Sequence, residues 1–150
     1  MSRNGFVVLA LLTFVVGACY AEQGRQPLEF DTAQLSGVWA ESYSTDPVCS
    51  ASSAHSRFEF SPDKTHVTIV LDKEVETSLP GRKDRFEAEI LSSTRHTLTI
   101  RYLNETRKGP SGDPVAWELA VVAPGVYRWR VTIAPQKAVN VVVGIKCRES

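Results

Sequence analysis

Histidines, cysteines and serines are the residues here with the most chemistry to offer, and none of them is spaced for catalysis. His55, His66 and His96 fall in or beside turn-like stretches or on outward strand positions. None shows the i, i+4 helical spacing by which one face presents two ligands to a metal. Ser52, Ser53 and His55 are neighbours along the chain, but a nucleophile needs a base that a third group orients, and sequence adjacency does not supply that geometry. There is no G-x-S-x-G and no glycine-rich phosphate loop. Glu87 and Glu89 share a strand face with nothing to mark either as buried. The expectation is a protein that is not an enzyme, with no catalytic residue, no metal site and no cofactor. Asn104-Glu105-Thr106 forms an N-glycosylation sequon, relevant in a eukaryotic secretory route.

The cysteines carry a different message. Residues 1–21 read as a signal peptide: Arg3 supplies a positive start, Phe6 to Val16 is an apolar run broken only by Thr13, and Gly17 and Ala18 follow. The run is shorter than the roughly 20 apolar residues a bilayer-spanning helix needs. Two processing routes stand. Cys19-Tyr20-Ala21 suits ordinary cleavage before Glu22, giving a secreted or periplasmic protein. Val16-Gly17-Ala18-Cys19 resembles a lipobox, in which Cys19 is lipidated and tethers the domain to the cell envelope. Either route leaves Cys49 and Cys147 as an even pair in an oxidising compartment, so they are expected to form a disulfide. A loop of that length is worth about 4 to 5 kcal/mol at most by chain entropy.

The totals narrow the partners. The chain has 150 residues, with 43% hydrophobic and 23% charged, which fits one ordinary globular domain. Removing residues 1–21 takes away Arg3 alone, leaving 16 Lys+Arg against 17 Asp+Glu, a net charge of −1. That balance offers no field for phosphates, so nucleic acid is not an expected partner, and no polybasic patch for anionic lipid. Membrane association would come only through Cys19.

The elements that must position any site are strands. Residues 22–34 form a polar leader ending in a short helical turn, which Asp31 can cap and Gly37 can close. From residue 35 the barrel domain begins, and the apolar period becomes two: Phe58 and Phe60; Val67, Ile69 and Leu71; Phe86, Ala88 and Ile90; Leu98, Ile100 and Tyr102; Val115, Trp117, Leu119 and Val121; Tyr127, Trp129, Val131 and Ile133; Val139, Val141, Val143 and Ile145. Proline-, glycine- and serine-rich punctuation separates these runs, mostly as tight turns. With the strand opened by Val38 this gives about eight short strands, hence an all-β, antiparallel up-and-down barrel with one disulfide; the alternative is a β-sandwich.

One set of faces, from Trp39 through Val143 and Ile145, is large and apolar and belongs inside. A small barrel has room for little beyond its own side chains, so the choice is a packed core or a narrow apolar pocket at one mouth. Tyr102, Trp117, Tyr127 and Trp129 are the candidate ligand-binding residues, because their polar tips need partners that a pocket rim can supply. The other faces carry Arg57, Glu59, Arg85, Glu87, Glu89, Arg101, Glu118, Arg128 and Arg130. They read as cross-strand ion pairs, or, for Arg101, Arg128 and Arg130, as a docking patch for an acidic partner.

Leu35-Ser36-Gly37-Val38-Trp39 resembles the opening of the lipocalin and calycin barrels, where a helical turn leads into G-x-W and the Trp plugs the barrel floor. The resemblance implies a late basic residue across that Trp, for which Lys146 and Arg148 are candidates, and a small apolar ligand held at the barrel mouth. The chain departs from the family in its short barrel and in having no helix after the strands. The function expected is therefore an exported binding domain for a small apolar molecule. The alternative is a cell-envelope protein-interaction module, such as an inhibitor or immunity-type protein, working through the loop Thr45 to His55 or Glu105 to Pro114.

Overall fold

A computed structural model describes residues 28–42, 49–77, 79–132 and 142–147. Residues 1–21 with Cys19, residues 22–27 of the leader, residues 45–48 of the Thr45 to His55 loop, Ile133, Val139, Val141 and Arg148 lie outside the described residues. Among the described residues eight strands follow a 3-10 turn at Thr32–Leu35: β1 (Val38–Ser42), β2 (His55–Phe60), β3 (His66–Leu71), β4 (Arg85–Ser93), β5 (Thr97–Tyr102), β6 (Trp117–Ala123), β7 (Val126–Val131) and β8 (Val142–Cys147). Each pairs antiparallel with the next, and β8 returns to β1 from Val38↔Cys147 to Ser42↔Val143, closing the barrel. The closure rules out the sandwich and leaves no free edge. Cys49 and Cys147 are bonded, with Cα atoms 5.5 Å apart.

The two ends differ. At one end β2–β3, β4–β5 and β6–β7 are joined by short turns, and the segment before β1 crosses beneath them. Asp31 accepts a hydrogen bond from the Ala33 N–H (3.1 Å) and starts the turn, which delivers Leu35 into the core. Phe30 stacks against Phe60 with ring centroids 6.4 Å apart, and Gln34 ties to the β4–β5 turn by donating to the Arg95 carbonyl (2.8 Å). Trp39 is fully buried and donates its indole N–H to the Leu35 carbonyl (3.0 Å). Lys146, one of the two basic candidates, lies across its ring at 5.9 Å. Gly37 makes room for this: its φ is +92°, and a Cβ there would stand 2.9 Å from the Lys146 Cε.

At the other end the β3–β4 and β5–β6 connections are long, not tight. Leu79 and Val75 from the first pack onto the core. Chain direction adds a feature to the outside. β1 ends at Ser42 in the open end, yet Cys49 sits at Cys147, opposite Val38 at the closed end. Ala40, which points outward, is fully buried.

The inward set agrees with the alternation on β2 to β7 and fails on β8. Glu41 and Tyr127 both pair with Gly144, and Trp129 pairs with Val142, so Val142, Gly144 and Lys146 face inward. Val143 and Ile145 therefore face outward, correcting the expectation. From Val142 to Ile145 the last strand is apolar on both faces, and the outer one lies near the buried Ala40 and the disulfide. β6 begins at Trp117 rather than Val115. The charged faces form cross-strand ion pairs: Arg101 reaches Glu89 at 2.7 Å and Arg130 reaches Glu118 at 2.6 Å. That engages two of the three arginines of the proposed docking patch.

Candidate functional site

Burial varies among the inward side chains. Trp39, Ala88, Leu98, Ile100, Leu119 and Tyr127 are sealed from solvent. Glu41, Leu71, Tyr102, Trp117 and Val131 toward the open end are only half-buried, while Phe86 and Val142 near them are buried. Toward the closed end Phe58, Phe60 and Val121 are half-buried as well.

Glu41 stands at the boundary. Its place follows from the strand period: Trp39 points in, so the residue two further on does too. Tyr127 O–H and Trp129 Nε1–H both donate to Glu41 Oε1 at 2.8 Å. Tyr127 reaches it because Gly144 has no side chain: a Cβ there would fall 2.0 Å from the Tyr127 ring. The ring is further fixed by Trp39 (5.0 Å), Phe58 (5.6 Å, edge-on) and Trp129 (6.1 Å). Burial pushes the Glu41 carboxyl above its ordinary value of 4.5, against the opposing pull of the Tyr127 and Trp129 hydrogen bonds. Burial and the neighbouring Glu41 raise the Tyr127 phenol well above its usual range. Ser56, inward on β2, brings a buried hydroxyl without a hydrogen-bond partner. That hydroxyl is near enough to Tyr127 to ease its ionisation, yet not placed to bond it.

A second carboxyl lies at the rim. Glu105, in the β5–β6 connection, is 1% exposed at its side chain and held by Arg107 through Nε (2.8 Å), Nη2 (2.6 Å) and the backbone N–H (2.9 Å). Burial alone would raise its pKa, but the Arg107 side-chain and backbone hydrogen bonds and charge bring it below the ordinary value. The Arg107 guanidinium lies 5.5 Å above the Trp117 ring. Trp117 Nε1 is buried without a hydrogen-bond partner, beside Glu105 and close enough to help lower its pKa.

The four aromatic residues expected at the mouth are therefore distributed over these two clusters. Tyr127 and Trp129 converge on Glu41; Trp117 lies under Arg107. Tyr102 packs edge-on against Phe86 (6.1 Å) and bears electrostatically on both Tyr127 and Arg107. Glu41, Ser56, Glu105 and Arg107 escaped the sequence reading. For Glu41 the signal lies in its spacing of two from Trp39, which puts both on one face of β1.

The three histidines, Ser52 and Ser53 have local partners. His55 Nδ1 and Asp72 Oδ2 are 2.8 Å apart, His66 bonds Thr65, and His96 bonds Gln34. Ser52 and Ser53 hydroxyls bond Ser50. Among the described residues no group of three or more His, Cys, Asp or Glu could hold a metal ion. Asn104 of the sequon donates its side-chain amide to the Pro80 carbonyl, tying the β5–β6 connection to the β3–β4 one.

No protein-family model, no curated protein and no solved structure matches this chain.

Proposed function

We propose that this is an exported, non-enzymatic binding domain that holds a small, largely apolar molecule in the open half of its barrel. The observation that carries the reading is the set of half-buried inward side chains toward the open end, Leu71, Tyr102, Trp117 and Val131, on the same inner face as the carboxyl of Glu41. Apolar walls with a few convergent polar groups are the usual composition of a small-molecule site. The lipocalin-like opening supports it: a turn, Gly37-x-Trp39, and Lys146 across the indole. Export rests on residues 1–21, and a lipid anchor on Cys19 would alter location without altering the site.

Trp117 and Trp129 belong to the site, so intrinsic fluorescence reports its occupation. Titration with decan-1-ol and a panel of fatty acids is expected to give a saturable shift. A flat response across the panel counts against the reading. The second reading, docking of a protein partner, is favoured by one feature: the β5–β6 connection is ordered at its tip by a Lys108↔Pro114 bridge and a Gly109 N–H to Asp113 carbonyl bond (2.8 Å). Pull-down from an envelope extract with and without residues 105–114 tests it.

A further inference from the structure

Resting on the small-molecule reading, we infer that the site selects organic cations: a protonated primary amine on an apolar body, its ammonium seated on the free Oε2 of Glu41. The hydrogen bonding of this carboxyl is half complete. Oε1 takes both protein donors, Tyr127 and Trp129, at 2.8 Å. Oε2 has no protein partner, and it is not fully enclosed either, since the sealed polar side-chain atoms without partners are Ser56 Oγ and Trp117 Nε1. It thus has both a vacant acceptor position and access to the lumen.

Two features favour a cation over a neutral head group. First, both groups on Oε1 are donors, the arrangement that suits a carboxylate rather than a carboxylic acid, and no protein acceptor stands at Oε2 to receive an acid proton. Second, among the described residues no protein cation answers the charge. Arg107 is committed to Glu105, and Lys146 lies on the far side of the Trp39 ring toward Ser36 (3.5 Å). β2 contributes the neutral Ser56, β7 Tyr127 and Trp129, and β8 a bare glycine; the inward residues of β3 and β4 are apolar. Phe58 and Trp129 flank the Tyr127 ring that holds the carboxyl, so its surroundings are apolar apart from the two donors. A carboxyl drawn out of water without a counter-charge is costly, and an arriving ammonium removes that cost.

The test is calorimetric titration of the whole mature protein at neutral pH with three probes sharing one alkyl body: decylamine, decan-1-ol and decanoate. Decylamine is expected to bind at least about tenfold more tightly than the other two. E41Q, checked for its fold by circular dichroism, is expected to lose that preference while keeping its affinity for decan-1-ol. Equal affinity for amine and alcohol, or an unchanged preference in E41Q, overturns the inference and leaves the binding reading standing. If none of the three probes binds the wild-type protein, both fall. The wild-type comparison decides the matter even if E41Q does not fold.

Discussion

Glu41 and Glu105 are the same residue type in one small barrel, and the fold treats them oppositely. Glu105 lies near the surface but is sealed, its side chain 1% exposed beneath an arginine two residues along the chain. Glu41 lies deeper, among sealed aromatic rings. The Glu105 carboxyl sits below its ordinary pKa and the Glu41 carboxyl above it. Depth and partner both separate them: Glu41 is the more deeply placed and has only a phenol and an indole N–H, whereas Glu105 has a guanidinium, whose hydrogen bonds and charge overcome desolvation. The Glu105 carboxyl is held on both oxygens and that of Glu41 on one.

The largest effect should come from disturbing what holds Glu41 without touching it. Gly144→Ala places a methyl against the Tyr127 ring, and about 3 kcal/mol of stability should be lost, read by chemical denaturation. A loss below about 1 kcal/mol would mean that Tyr127 is free to retreat. Arg107→Ala should cost about 2 kcal/mol, discounted because Arg107 is 42% exposed and water can replace it. The same change should raise the Glu105 pKa, measurable by NMR titration, and leave Glu41 unaltered. Tyr127→Phe should cost about 1 kcal/mol through the lost hydrogen bond and push the Glu41 pKa higher still.

The smallest effect is one of pH. Because the folded state holds the Glu41 proton more tightly than the unfolded chain, wild-type stability should fall as pH rises from about the ordinary value of 4.5 toward the raised one. Glu41→Gln lacks this loss, so it should match the wild type in acid and exceed it at neutral pH. Denaturation curves across that range check the sign. A wild-type advantage that grows with pH would show Glu41 to be stabilised as a carboxylate by the protein alone.

Most of the barrel was legible because its inner positions are bulky and its outer ones charged: Val67-Thr68-Ile69 and Tyr127-Arg128-Trp129 admit one orientation. β8 was not, because Val142-Val143-Gly144-Ile145 is apolar on both sides and its inward position is occupied by the smallest residue. The glycine is explained only by Tyr127, a strand away. The aromatic half of the site was legible through residues whose tips need partners when buried. The acidic half was not: Glu41 breaks the rule that charge points outward, and the meeting of Glu105, Arg107 and Trp117 depends on a loop that alternation does not describe. The disulfide was legible from cysteine count and compartment, and the structure pairs the same two residues.

The seam between β1 and β8 joins the two ends of the domain. Glu41 stands on one side of it, and its two donors lie 86 and 88 residues further along the chain. The surroundings of Glu41 therefore exist only where the last strands have closed on the first. A molecule that recognises the site therefore recognises only completed copies, and its binding would hold that last seam shut.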